Sequence, residues 1–440
     1  MEISERETKN PAADPRKMRR IIAEDPEWNL ETVPPLVDSC IQHIIKHFHE
    51  RPLLEELPEK YQRKVLEKLP TTLPLNISAG LIADEGYWER CCRSRWALCD
   101  VSSYDKNWRR MFFERHAAEL VEHFVPEKSD KKEFEEKLKL CSEFVQRLQV
   151  KQLLPRPQGE LLAPADEGDA GSDDLAHALA NDHLDCGVLL KTLHNMKELS
   201  LMFGVENCGM NFEWGLFQFT VTDCKNLVNG LKATPTLHTL KVTSSKMGEE
   251  EGRVLVKGLL EHPGLAVLDL SHNKLKSRTG RALGKLLGMP ACRLETLVLT
   301  NNEIGPDGGK SLGHSLKTNS TLLHLDLRLN RLSDEGVQPI LKSLTTNSSL
   351  VSLNVGSNDF TEASAPALAE VLQTNGTLKE LNISCNKLGE SGGRFLQEGM
   401  EENSTLTVFD LRLSEIAQES EYVINKTVKD NLDRDRKIAT

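Results

Sequence analysis

The stretch "GPDGGKS" at 305–311 sets glycines ahead of a lysine and a serine, residue types that can cradle a phosphate with main-chain N–H groups and a cation. A phosphate loop needs four residues between its first glycine and the Gly-Lys pair. Here position 304 is Ile, and Gly305 stands one residue too close. Segments at the same offset further along, "SDEGVQ", "TEASAP" and "GESGGR", vary freely in glycine and lysine. Loop variation is the expectation, with no nucleotide site. His43 and His47 lie one helical turn apart, with His49 and Glu50 close by. Such a pair can hold zinc, but no third ligand follows at a characteristic spacing, so a polar helix face is expected. Cys91, Cys92 and Cys99 do not have zinc-finger spacing either. The sequence contains no kinase set and no His-Glu-x-x-His. No catalysis, cofactor or metal is expected.

Asn319, Asn347, Asn375 and Asn403 each open an Asn-x-Ser/Thr glycan acceptor. Yet 347−319, 375−347 and 403−375 all equal 28. Glycosylation has no reason to be periodic, whereas a repeated fold has every reason. The segments after these asparagines, "LLHLDLRLNRL", "LVSLNVGSNDF", "LKELNISCNKL" and "LTVFDLRLSEI", share the template L-x-x-L-x-L-x-x-N-x-L. "LHTLKVTSSKM", "LAVLDLSHNKL" and "LETLVLTNNEI" match it upstream. The anchor position is held by Ser245, Asn273, Asn302, Asn330, Asn358, Asn386 and Ser414.

Each position has a physical reading. The second and third leucines alternate as on a short strand and point to a core. The anchor Asn can satisfy main-chain groups where the chain leaves the strand. Ten and fourteen residues past each anchor stand apolar pairs such as Leu312 and Leu316, or Ile340 and Leu344, which share one helix face. Each unit is therefore strand, loop, helix. The sequon Asn falls in the exit turn of the helix, where Asn tolerates a left-handed backbone. "LHNMKELSL" at 193–201 reads as an earlier, degenerate unit followed by an insertion.

The bulk properties agree with a non-secreted scaffold. The net charge is −11, which argues against nucleic acid and gives no attraction to an anionic membrane. "MEISERETKN" lacks the apolar run of a signal peptide, and the ten cysteines are scattered from 40 to 385, so a cytosolic compartment with reduced thiols is expected. The expected organisation is a flexible arm at 1–24, a helical region at 25–154, an acidic Pro/Gly linker at 155–174 and a repeat domain with capping helices at 175–440. "NWRRMFFERHAAELVEHFV" and "KKEFEEKLKLCSEFVQRLQV" read as the longer helices of the second part.

The surface left for function is the exposed row of the strands. Four before each anchor stand Lys241, Asp269, Val298, Asp326, Asn354, Asn382 and Asp410. Two before stand Thr243, Ser271, Thr300, Arg328, Gly356, Ser384 and Arg412. The candidate partner-binding residues are Lys241, Asp269, Asp326, Arg328, Asn354, Asn382, Asp410 and Arg412. A polar column bounded by two arginines suits docking of a helix or another folded surface.

With a period of 28 and a helix in every unit, the pattern resembles the ribonuclease-inhibitor type of leucine-rich repeat. That resemblance implies an α/β solenoid, a horseshoe with its strands on the concave face, preceded here by an all-α N-terminal region. From the Trp28 region to the end, with "LHLDLRLNRLSDEGV" and "LKELNISCNKLGESGG", the chain is similar to the leucine-rich-repeat subunits of the nexin–dynein regulatory complex. This implies a non-catalytic structural subunit in the cytoplasm and cytoskeleton, at the axoneme of motile cilia and sperm flagella. Other subunits of that complex would be its partners. Doublet microtubules and inner dynein arms would be engaged indirectly, with no nucleic acid and no membrane. Two other classes fit less of the chain. An F-box-like substrate receptor of a ubiquitin ligase would use "LPEKYQRKVLEKLP". A GTPase-activating repeat protein would need an arginine-bearing catalytic loop.

Overall fold

A computed structural model of the chain describes residues 19–20, 32–33, 35–155, 183–211 and 214–439. Two compact units follow one another, Met1–Phe112 and Phe113–Thr440. Helices run in the order α1 (Leu36–Lys46), α2 (Glu59–Lys68), α3 (Leu75–Leu81), α4 (Glu85–Arg95), α5 (Trp108–Glu122), α6 (Lys131–Cys141) and α7 (Cys186–Thr192). In the first unit Pro58 and Pro70 bound α2, because proline suits a helix start and ends the helix it follows. Trp88 is fully buried there, and its indole N–H donates 2.8 Å to the Ile82 carbonyl.

The second unit carries one nine-stranded parallel sheet. Its strands are β1 (Arg147–Val150), β2 (Glu198–Leu201), β3 (Thr239–Val242), β4 (Val267–Asp269), β5 (Thr296–Val298), β6 (His324–Asp326), β7 (Ser352–Asn354), β8 (Glu380–Asn382) and β9 (Val408–Asp410). They pair strictly in sequence order. From β2 onward each strand is followed by a helix: α8 (Val221–Lys232), α9 (Glu249–Leu259), α10 (Ser277–Leu287), α11 (Pro306–Leu316), α12 (Ser333–Leu344), α13 (Ala365–Thr374), α14 (Gly389–Met400) and α15 (Gln418–Ala439). The register places Leu297 opposite Leu325 and Leu325 opposite Leu353, so like residues stack from unit to unit. Leu325, Leu327 and Leu353 are buried, as the alternation requires.

Two asparagine ladders hold the stack. The anchor Asn330 donates to the carbonyls of Leu299 and Leu327, each at 2.9 Å, and accepts from the Ile304 N–H at 3.0 Å. Asn273, Asn302, Asn358 and Asn386 bridge neighbouring units in the same way. The sequon asparagines form the second ladder. Asn347 donates to Leu316 O and Asn319 O and accepts from the N–H groups of Ser349 and Leu350. All four are buried, which removes them from a glycan-transferring enzyme in the folded state. The expected left-handed backbone at these asparagines is incorrect: Asn375 is extended, with φ −83° and ψ 122°, and none of the four has a positive φ. Burial of the carboxamide, not turn geometry, is what fixes Asn there. The ladder ends at Asn431 on α15, whose amide donates 3.2 Å to Asn403.

A second correction concerns "KKEFEEKLKLCSEFVQRLQV". Its helix stops at Cys141, and Arg147–Val150 is a strand paired with β2. Leu148 and Val150 are buried while Gln149 is exposed, an alternation that fills the core only when extended. The sheet thus begins ahead of 155–174. Of that expected linker only residue 155 is described, and of the arm at 1–24 only residues 19–20. Of the segment expected to cap the first repeat, residues 175–182 lie outside the described residues; a helix runs over Cys186–Thr192, between β1 and β2, with Asp185 accepting the Gly187 N–H at 2.7 Å.

The open edge of β1 is closed from α5. In each later unit, two successive N–H groups converge on one carbonyl of the strand before, as Lys197 and Glu198 do on Gln146 O. β1 is the edge of this sheet, and the N–H groups of Gln146 and Arg147 converge instead on the Glu114 carboxylate, at 3.1 and 2.9 Å. Glu122, two turns on, takes the Lys151 N–H at 2.7 Å. Two carboxylates on one helix face stand in for the missing strand.

Candidate partner-binding surface

Because Leu325 and Leu327 point to the core, their neighbours His324, Asp326 and Arg328 point out of the sheet, and the same holds in each unit. The outward faces of β5 to β9 line one groove, with Asp326, Asn354, Asn382 and Asp410 along it. Lys241 stands on β3 and Asp269 on β4, outside that groove. Val298 interrupts the polar row as a half-buried apolar residue.

The row four before the anchor does local work. Asp269, Asp326, Asn354, Asn382 and Asp410 each accept, through a side-chain oxygen, the N–H two residues further on, at 2.9–3.2 Å. This Asx arrangement fixes the chain as it leaves each strand. Asp326 also takes the Thr300 hydroxyl at 2.7 Å and the Asn354 amide at 3.0 Å. Asn382 donates to Asp410 at 3.2 Å. Asp410 receives Arg412 in a two-pronged pair, Nε at 2.9 Å and Nη at 2.7 Å. That pairing holds the Asp410 carboxyl below the ordinary carboxylate range against the opposing effect of burial, and Arg328 adds to it. The row two before the anchor is uneven. Ser271, Gly356 and Ser384 are buried, whereas Arg328 and Arg412 are exposed.

A feature the sequence did not announce lies next to it. Ser244, His272, Asn301, Leu329, Ser357, Cys385 and Leu413, each one residue before its anchor, all have φ between 50° and 59°. Asn and His tolerate this region more readily than leucine, for which it costs about 1–2 kcal/mol. Leu329 and Leu413 adopt it all the same, and they are 40% and 79% exposed.

The other candidate residues find structural places. Gly309 and Gly313 pack against the main chain of α12, where an added Cβ would lie 2.6 Å from Gly336 O and 2.5 Å from Pro339 C. Lys310 pairs with Glu335 at 2.8 Å, and that hydrogen bond, first among its neighbours, raises its pKa. The His43 and His47 rings lie 4.6 Å apart, tilted at 43°, and His47 reaches Glu50. Cys91 and Cys92 are buried, and Cys99 is partly so. Among the described residues no group of three or more His, Cys, Asp or Glu is placed to hold a metal, and no helix is long and apolar enough to cross a membrane.

The family described as "Leucine Rich repeat" matches residues 292–313, 318–341 and 374–396, which take in β5, β6 and β8 and most of α11, α12 and α14. The solenoid is built of leucine-rich repeats. Two curated relatives named "Dynein regulatory complex subunit 5" are similar to this leucine-rich-repeat chain. The one from Homo sapiens is 44% identical over 248 residues, 56% of this chain and 50% of the relative. The one from Chlamydomonas reinhardtii is 31% identical over 223 residues, half of each chain. The chain thus spans about half the length of the curated relatives it matches. Among solved structures it is similar to "Leiomodin-1 Actin-Binding Site 2 (ABS2)", at 20% identity and TM-score 0.32, over 37% of this chain and 92% of that one. A likeness at that level carries no functional argument.

Proposed function

We propose that this leucine-rich-repeat chain is a non-catalytic structural subunit of the nexin–dynein regulatory complex in motile cilia and sperm flagella. In this reading it helps to link doublet microtubules and to regulate inner-arm dynein through protein–protein contacts of its solenoid. The observation that carries the reading is the 44% identity to proteins named as subunit 5 of the dynein regulatory complex. The architecture supports it, because a stack of short units presents a long, rigid surface for a partner. The strand face, with Arg328 and Arg412 exposed, is the proposed contact.

A chain of net charge −11 is repelled by the acidic surface of bare microtubules, so incorporation proceeds through other subunits of the complex. The test is fractionation of multiciliated cells that express the tagged chain. The expected result is retention in detergent-extracted axonemes together with other regulatory-complex subunits. Tagged chain that stays diffuse and is washed out with the cytoplasm would refute the reading.

A further inference from the structure

The two exposed leucines at left-handed positions both follow an exposed arginine, giving Arg328–Leu329 just past β6 and Arg412–Leu413 just past β9. Between them lie two units whose equivalent residues are small: Gly356 and Ser384 are buried there. The floor is kept low by crowding, since a Cβ on Gly356 would lie 2.9 Å from the Asn382 side-chain oxygen and 3.0 Å from the Ser384 hydroxyl. The main-chain ladder runs unbroken across this end. Leu329 N–H donates to Gly356 O, Ser357 to Ser384 O and Cys385 to Arg412 O, at 2.8–2.9 Å. The walls are therefore three strand spacings apart, roughly 14–15 Å. An α-helix with its side chains is about 10–12 Å across.

Folding gives no reason for leucine at either position. The backbone disfavours it, water disfavours it, and the five equivalent residues are Ser, His, Asn, Ser and Cys. A binding role does give a reason, and the flanking guanidinium groups set its sign. We propose that the strand-exit end of this face is a helix-docking saddle, with Arg328–Leu329 and Arg412–Leu413 as walls and Gly356 and Ser384 as floor. Its occupant is a single α-helix of another subunit that carries carboxylates on both flanks and apolar side chains between them. The carboxylates meet the Arg328 guanidinium and the edge of the Arg412 guanidinium that its pair with Asp410 leaves open, and the apolar side chains cover the two leucines. This inference rests on the reading of the strand face as the partner contact and adds what the partner must present. The overall negative charge of the chain disfavours a polyanion such as nucleic acid as the occupant.

The test uses the purified full chain and a labelled alanine-based helix of about 18 residues, long enough to hold its helicity in water. The probe bears Glu on both flanks and Leu between, and a second probe carries Lys in place of Glu. Fluorescence anisotropy is expected to show the Glu helix binding at least about tenfold tighter than the Lys helix. R328E/R412E should reverse that order. L329N/L413N should weaken the Glu helix by about tenfold while circular dichroism stays unchanged, because Asn accepts the left-handed backbone. Equal affinity for the two helices, absence of binding, or indifference to R328E/R412E in a folded variant would overturn the proposal. So would a dimer in sedimentation that R328E/R412E dissociates, since the occupant would then be a second copy. Failure here leaves axonemal retention of the chain untouched, and loss of that retention leaves the peptide measurement standing.

Discussion

The Asn347 carboxamide donates 2.9 Å to the main-chain carbonyl of Asn319, and Asn375 donates 3.0 Å to the carbonyl of Asn347. Each asparagine thus serves the unit before it and, through its side-chain oxygen, starts the next strand of its own unit. Truncating one leaves buried donors and acceptors on both sides without partners. Asn347→Ala should cost about 1–3 kcal/mol in urea denaturation. A loss within experimental error would mean that water replaces the carboxamide and that the ladder is not structural.

Glu114 makes a comparable prediction at the other end of the stack. Its carboxylate receives the N–H groups that would otherwise be stranded on the edge of β1. Glu114→Ala should cost about 1–3 kcal/mol. Amide exchange should quicken at 146–150 and remain slow in β6 and β7. Uniform acceleration throughout the unit would show that the edge does not open by itself.

Gly313→Ala tests the packing of α11 on α12. The new methyl would press on the main chain of Pro339 and Ile340, and backbone cannot rotate out of the way as a side chain can. Destabilisation of about 1–3 kcal/mol is expected in thermal unfolding. A neutral result would contradict the close approach of these helices.

Asp334 gives a pH dependence with a definite sign. It accepts from the Thr361 N–H and hydroxyl and from the Ser364 hydroxyl, at 2.6–3.0 Å. Burial pushes its carboxyl up, but these donors together outweigh it and hold the group below the ordinary carboxylate range. With the folded value below the unfolded one, its stabilisation is complete above the unfolded pKa of about 3.9 and is lost as pH falls through the folded value. The stability difference between wild type and Asp334→Asn should therefore be constant at neutral pH and shrink below about pH 4. A difference that persists unchanged in acid would rule out a carboxylate role.

Much of this was legible in the sequence, for identifiable reasons. The Leu-x-Leu alternation fixes which residues face the core, so the strand register, the row with Asp326 and Arg328 and the helix positions all follow from the period. Arg147–Val150 was misread because "EFVQRLQV" fits both a helix face and a strand. Only pairing with Glu198–Leu201 decides between them. Asn431 carries no sequon, since no Ser or Thr stands two residues on, although it lies 28 residues after Asn403. The left-handed position before each anchor could not be read, since its occupants range from Asn to Leu and share no side-chain chemistry. The hydrogen bonds that tie Asp326 and Asp410 to neighbouring units were likewise invisible, because they join residues 26–28 positions apart.

As a proposed subunit of the regulatory complex, this chain should be a built-in part of the link between doublet microtubules. Cryo-electron tomography of axonemes from ciliated cells, with and without the chain, tests it most directly. Density at the regulatory-complex position between doublets should be lost or reduced in its absence and return when the chain is restored. Intact links of unchanged density in axonemes that lack the chain would contradict it.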